Sequence, residues 1–292
     1  MNYTTGQLRT FLTVAQAGSV SEAAESLAVS QPAVSSALAS LRRAFGVALV
    51  EREGRGLRLT EAGRTLAAYG RRIFALADEA ESQVRAAGSA HAVRVRIAAV
   101  TTVAEYVLPQ PLRRVCEKHP EIAVELDVGN RGQVWERLAT WEAQVAVAGR
   151  PPVESRYRTL GRRTNEIVLI ARYSQALDAT ALARATWLLR EPGSGTRAMT
   201  QELFEELGIA PENQLTIGSN GAIRECVRAG LGISLQSRDA VRRELESGEL
   251  GEVDAPVALP ERQWNVVVND ERALPAAVKG FVNDLMITLG FE

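Results

Sequence analysis

The 292 residues leave room for about two domains. An apolar fraction of 46% and a charged fraction of 24% exclude wholesale disorder, collagen and fibrous repeats, and a net charge of −1 excludes a polycation that coats nucleic acid by charge alone. No apolar run reaches the roughly 18–20 residues of a membrane span, and an N-terminal stretch broken by Thr13 and Gln16 predicts no signal peptide.

Leu8, Phe11, Leu12, Val14 and Ala15 recur at helical spacing and predict a helix over 5–18, ended by Gly18. Ser19 caps a short helix at 20–27 that turns Ala23, Ala24 and Leu27 inward. After the tight Ala28-Val29 connection, Ser30 caps a third helix, with Pro32 in the first turn where its missing N–H does no harm. Val34, Leu38, Leu41 and Phe45 give that helix an apolar face, and Gly46 stops it. Two extended runs, 48–52 and 57–59, flank the turn Glu53-Gly54-Arg55-Gly56. Thr60 opens a long helix to about residue 87. Its apolar residues Ala62, Leu66, Tyr69, Ile73, Leu76, Ala80, Val84 and Ala87 keep mostly to steps of three and four. One helix cannot bury such a heptad-like seam, so a second copy of the chain is the expected partner. Residues 88–92, with His91, read as a linker.

From Val93 the pattern alternates between strands and helices, which predicts parallel sheets with covering helices. Strands are expected at 93–100, 122–128 and 144–148, with helices at 104–118 and 132–140. A second cycle has strands at 166–171, 186–189, 214–217 and 233–235 and helices at 196–207 and 222–229. A late strand at 264–268 and a helix at 275–289 close the chain. Trp135, Trp141, Trp187 and Trp264 are expected in the core or between lobes.

Charge is uneven. Residues 1–72 carry nine arginines against five glutamates, a net of +4, and the rest carries −5. Two short helices, a tight turn, a third helix and a hairpin make a winged helix-turn-helix. The third helix begins Ser30-Gln31-Pro32-Ala33-Val34-Ser35-Ser36, small and polar enough to sit deep in a major groove. Gln31 can pair with an adenine edge, and Ser35 or Ser36 can meet bases or phosphates. Arg42, Arg43, Arg52, Arg55 and Arg58 are expected behind them or on the wing, against the DNA backbone.

Phe11, Gly18-Ser19, Ala23-Ala24, Leu27, Ser30 to Ser35, Leu41, Phe45-Gly46, Arg52 and Leu59 to Gly63 together resemble the signature of LysR-type transcriptional regulators. The resemblance implies a winged helix-turn-helix head at 1–60, a dimerisation helix at 61–90 and a two-lobed, periplasmic-binding-protein-like effector domain at 91–292. Its lobes would span about 91–163 with 265–292, and about 164–264. It also implies a homodimer, assembling to a homotetramer, on an imperfect palindrome of double-stranded DNA, with RNA polymerase a candidate partner. Two positions depart from the family's habit: Arg42 stands where an acidic residue is common, and Leu49-Val50 stands for Leu-Phe.

The body holds two strand-to-helix loops rich in small residues, 190–197 and Gly218-Ser219-Asn220-Gly221, and a helix start at Thr101-Thr102. Backbone N–H groups and helix dipoles favour an anion at such places, although plain capping would account for any one of them. The motifs at 128–131, 148–152, 188–197, 218–220 and 229–234 resemble a branch that includes regulators of Calvin-cycle (RuBisCO) operons and of sulfur metabolism. That branch implies a small, anionic effector between the lobes. It would be lined by Thr101, Thr102, Ser194, Gly195, Thr196 and Asn220, with Arg131, Arg150 and Arg197 as charge partners.

No nucleophile elbow, metal-binding His pair or dinucleotide fingerprint occurs, so no catalytic residue, metal or cofactor is expected and the chain does not read as an enzyme. Cys116 and Cys226 are too few for a disulfide scaffold and are expected as buried, inert thiols. The expected compartment is the cytoplasm.

Overall fold

The computed structural model describes residues 2–54, 56–88, 93–154, 156–271 and 273–291. Contacts divide the chain into two compact units, residues 1–85 with 139–142, and 86–138 with 143–292.

In the first unit, α1 (Thr5–Ala17) starts at a reciprocal cap. Thr4 Oγ1 accepts from the Gln7 N–H at 3.2 Å, and Gln7 Oε1 accepts from the Thr4 N–H at 2.9 Å. Gly18 ends the helix at φ +70°, a left-handed conformation that glycine adopts without a Cβ clash. Ser19 and Ser30 cap α2 (Val20–Ser26) and α3 (Gln31–Phe45), each oxygen accepting from the N–H three residues on. Each such cap contributes about 1 kcal/mol. β1 (Val50–Glu53) and β2 (Gly56–Leu59) form an antiparallel wing, and α4 (Glu61–Gly88) follows. The Leu57 N–H donates to the Gly18 carbonyl at 2.7 Å and ties the wing to the end of α1. The first wing strand starts at Val50 rather than 48, because the Ala48 carbonyl is engaged by Thr60 Oγ1 at 2.7 Å.

Leu8, Phe11, Leu41 and Leu49 pack with Leu66 of α4, and Val14, Ala23, Ala24 and Val34 fill the space between the first three helices. Gly63 is required where α4 passes the wing: a Cβ there would lie 1.9 Å from the Leu49 carbonyl oxygen. Phe45, expected inside, is 41% exposed and instead meets the Tyr3 ring at 5.1 Å. Along α4, Tyr69, Ile73, Leu76 and Val84 are all exposed in the single chain.

The second unit contains, in chain order, β3 (Val93–Val100), a π-type turn (Val103–Val107), α5 (Pro109–Lys118), β4 (Ile122–Gly129), α6 (Arg131–Ala139), β5 (Val145–Ala148), β6 (Tyr157–Asn165), β7 (Ile167–Ala171) and β8 (Gln175–Ala176). It continues with α7 (Ala179–Arg184), β9 (Trp187–Leu189), α8 (Gly195–Leu207), β10 (Gln214–Thr216), α9 (Asn220–Arg228), β11 (Ser234–Ser237), α10 (Arg238–Ser247), β12 (Gly251–Asp254), β13 (Arg262–Asn269) and α11 (Ala276–Leu289). The helix expected over 104–118 is interrupted. Pro109 has no N–H to continue the ladder and opens α5 instead.

Two sheets result. The first has the order β4-β3-β5-β13-β6, parallel at β4-β3-β5 and antiparallel on either side of β13. The second has the order β11-β7-β12-β8, and the parallel pair β9-β10 joins it through a bridge from Trp187 to Ile233. The chain crosses between the sheets at Glu166 and again between Asp254 and Arg262. Both sheets are covered on both faces, so alternate residues feed different cores. In β7, Ile167, Leu169 and Ala171 face one core and Val168 and Ile170 the other. In β5, Val145 and Val147 face one core and Ala146 and Ala148 the other.

Trp135, Trp187 and Trp264 are buried, and the Trp187 Nε1 donates to the Leu182 carbonyl at 2.8 Å. Cys116 and Cys226 are unpaired but only half-buried, less enclosed than expected. What burial Cys116 has pushes its thiol up, away from the reactive thiolate.

Candidate functional site

In the head, the caps place Ser30, Gln31, Pro32, Ser35 and Ser36 on the solvent side of α3, while Val34 and Leu41 anchor the opposite side. Pro32, Ser35, Ser36, Ala39 and Arg42 follow steps of three and four, so one exposed stripe runs from small polar residues to a cation. Arg42 lies about 16 Å along the helix from Gln31. Arg43 is exposed beside it and donates to Ser40 Oγ at 3.2 Å. On the wing, Arg52 is exposed and makes no ion pair among the described residues. Arg58 is held by Glu51 at 2.6 Å and Glu53 at 3.4 Å, so part of its charge is spent within the hairpin. Arg55 lies outside the described residues.

In the second unit a cavity of about 250 Å³ opens between the two sheets. Thr101, Thr102, Ser194, Gly195 and Thr196 line it. Ser194 caps α8, its oxygen accepting from the Thr196 N–H at 3.2 Å. Gly193, at φ +87°, lets the loop turn into the helix, and the space a Cβ would fill there lies 3.4 Å from the Asn130 amide. Arg131 passes Gly195, its Cδ 3.8 Å from where a Cβ would stand, and donates to the Arg150 carbonyl at 3.1 Å. Arg131 and Arg150 both line the cavity, and neither meets a carboxylate among the described residues. A cationic pole therefore faces the positive end of the α8 dipole, an arrangement suited to an anion.

Thr102 does not cap a helix. Its Oγ1 accepts from Asn220 Nδ2 at 2.9 Å, and Asn220 Oδ1 accepts from Arg190 Nη1. Ser219, rather than Asn220, caps α9. Asn220 is 2% exposed and stands behind the cavity wall, where it joins the two lobes. Arg190 is buried and gives its other donors to the Glu191 carboxylate at 2.8 and 3.0 Å, so its charge is compensated on the spot. Arg197 is two residues, about 200°, round the helix from Gly195. It points away from the cavity to the Arg190 carbonyl and Thr216 Oγ1.

Further bonds cross between the lobes. Asp239 of α10 holds both Arg163 of β6 and the Trp264 Nε1. Ser237 Oγ donates to Asn165 Oδ1 at 2.6 Å. Arg224 Nη1 donates to the Tyr106 hydroxyl at 2.8 Å; burial pushes that phenol up, and the Arg224 charge opposes the shift. Cavity residues that no local motif marks include Asn165, Met199, Glu202 and Arg262. The legible signal was Arg262-x-Trp264, which puts two side chains on one face of a strand.

No helix among the described residues is long and apolar enough to cross a membrane, and these residues contain no group of three or more side chains suited to a metal.

Residues 5–64 match the bacterial regulatory helix-turn-helix protein, lysR family, and residues 89–286 match the LysR substrate binding domain. The chain belongs to the LysR family of transcriptional regulators, and so joins a DNA-binding head to an effector-binding domain. The RuBisCO operon transcriptional regulator of Acidithiobacillus ferrooxidans is 31% identical over 96% of this chain and 92% of its own. The transcriptional regulator CbbR of Xanthobacter flavus is 34% identical over 94% of this chain and 85% of its own. Both are named regulators rather than enzymes. The CcmR regulatory domain of Synechocystis PCC6803, solved in complex with 2-PG, is 29% identical with a TM-score of 0.60, covering 67% of this chain and 97% of that one.

Proposed function

We propose that this regulator is controlled by a small anion bound between the lobes of its C-terminal domain. The observation that carries the reading is the pair Arg131 and Arg150, uncompensated by carboxylates, against the N-terminus of α8 in a cavity of about 250 Å³. Thr101, Thr102, Ser194, Gly195 and Thr196 supply hydroxyl and backbone donors, and Asn220 holds Thr102 in place. The related CcmR regulatory domain was solved in complex with 2-PG, which supports a small-molecule effector for this domain. The anion acts by preferring one lobe closure over another, and can shift that equilibrium only by its difference in affinity for the two.

The exposed α4 residues Tyr69, Ile73, Leu76 and Val84 pair with those of a second copy, and dimers assemble further to tetramers. Each dimer sets two α3 N-termini in successive major grooves of an imperfect palindrome. Gln31, Ser35 and Ser36 meet bases there, beside Ser30 and Pro32, and Arg42, Arg52 and Arg55 hold phosphates. The protein works in the cytoplasm, with RNA polymerase as a further partner.

The testing experiment is a mobility shift on the DNA upstream of the protein's own gene, with and without phosphorylated metabolites. Arg131→Ala with Arg150→Ala should keep operator binding and lose the anion response. A response that survives in this double variant removes the cleft from the effector site.

A further inference from the structure

Trp141 adopts φ +64°, and among the described non-glycine residues only Ala28 shares a positive φ. A left-handed backbone crowds the Cβ of a bulky residue, so surrounding contacts must hold it there. Those contacts come from α4. The Arg72 guanidinium carbon lies 4.2 Å from the centre of the Trp141 ring, and Arg71 Nε lies 3.8 Å from Glu142 Oε1. An indole face is the aromatic surface that attracts a cation best. The same guanidinium lies 5.6 Å from the ring of Tyr69, one turn back on the exposed face of α4. Trp141, expected in the core or between lobes, is half-buried instead, and residues 139–142 pack as part of the first unit.

The turn is joined firmly to what precedes and follows it. On one side α6 buries Val134, Trp135 and Leu138. The Ala143 N–H donates to the Arg137 carbonyl at 3.1 Å and closes the turn on the end of that helix. On the other side the Gln144 N–H donates to the Arg96 carbonyl at 2.9 Å, and Gln144 Oε1 accepts from the Arg96 N–H at 3.0 Å. The start of β5 is thereby fixed to β3. Arg131 opens α6 and Arg150 follows β5, and both line the cavity. The two cavity cations are therefore the two ends of one helix–turn–strand segment whose tip is Trp141. An anion held by both arginines fixes both ends at once. A packed helix does not compress, so a shift at Arg131 moves α6 as a body and reaches the turn.

We propose that the Trp141 turn is the contact through which occupancy at Arg131 and Arg150 is passed to α4, with Trp141 and Arg72 as positioning residues. This rests on the anion reading above and adds the element that carries it to the DNA-binding head. The turn has two states. Clasped, it is strained at Trp141 and held by Arg72. Released, its backbone relaxes and Arg72 is left beside Tyr69 alone. The ligand biases the two by binding them unequally.

The test uses the full chain, 2-PG as the probe and the DNA upstream of the protein's own gene. Calorimetry gives the dissociation constant for 2-PG, and fluorescence anisotropy gives that for the DNA with and without saturating 2-PG. In the wild type, 2-PG should change the DNA constant at least about fivefold. Arg72→Ala should bind 2-PG and unliganded DNA within about threefold of the wild type, with the 2-PG effect below about twofold. Trp141→Gly removes the ring and accepts the positive φ, and it should behave in the same way. Arg72→Lys restores a cation over the ring and should recover most of the effect. A full effect in Arg72→Ala and Trp141→Gly, or bound 2-PG without effect on DNA in the wild type, overturns the coupling and leaves the anion site standing. Loss of unliganded DNA binding in both variants makes the clasp structural and overturns the coupling too. No 2-PG binding in the wild type, or binding indifferent to Arg131→Ala, overturns both readings.

Discussion

Asn220 Nδ2 donates to Thr102 Oγ1 at 2.9 Å, across 118 residues of sequence and from one lobe to the other. The same amide accepts from the buried Arg190, so one side chain both closes the lobes and orients a guanidinium behind the cavity. Asn220→Ala leaves a buried cation short of one acceptor, at a cost of about 1–3 kcal/mol. Thermal unfolding should show that loss, and small-angle scattering should show a wider domain. A variant as stable and as compact as the wild type contradicts the latch.

Gln31 is exposed at the start of α3, where a cap holds the first turn. Gln31→Ala should weaken operator binding by about 1–3 kcal/mol and leave binding to random DNA nearly unchanged. Competition titrations against both DNAs read the difference. Equal loss on both would mean that Gln31 touches the backbone and reads no base.

Leu76 is 51% exposed on a face that also carries Tyr69, Ile73 and Val84. Burying a leucine contributes about 1.5–3 kcal/mol, so four such residues unpaired in water are a large standing cost. Leu76→Glu should shift the protein toward monomer in sedimentation at micromolar concentration. A wild type that sediments as a monomer contradicts pairing through α4.

The pH dependence follows from Asp284. Lys118 at 2.7 Å and, next in weight, His119 at 2.7 Å hold its carboxyl below the usual range near 3.8. A carboxylate depressed in the folded state stabilises the fold above its unfolded pKa and loses that contribution as pH falls through the folded pKa. Stability should therefore decline below about pH 4. Asp284→Asn should flatten this acid limb in urea titrations from pH 6 to 3. A limb of unchanged steepness assigns the decline to other groups.

The head was legible in detail because its signals are local. Ser19, Ser30 and Gly18 cap or stop helices within a few residues of themselves, and the capping hydrogen bonds fall at those serines. The central strands were legible for a similar reason: β5 and β7 are buried on both faces and read as continuous apolar runs, and β3 alternates Val with Arg94 and Arg96 before it turns wholly apolar from Ile97. β6 was not, because as an edge strand it carries Arg158, Arg162, Arg163 and Asn165, and only its pairing with β13 makes it a strand. α10, written Arg-Asp-Ala-Val-Arg-Arg-Glu, likewise offers only Ala240 and Val241 to the core. In the site, the loop residues Ser194 to Thr196 announced themselves by type. Glu202 and Arg262, 60 residues apart, are brought together only by the packing of α8 against the returning strand.

The most direct measurement is a thermal-shift titration of the wild type and of Arg131→Ala with Arg150→Ala. The anions would be 2-PG, phosphoglycerate, sugar phosphates, sulfite and sulfate, with neutral sugars as controls. A ligand at about 100 times its dissociation constant stabilises the folded state by about 2.7 kcal/mol. Such a shift is expected with at least one phosphorylated anion in the wild type, and its loss in the double variant. Silence across every anion, or a shift that the double variant retains, would contradict it.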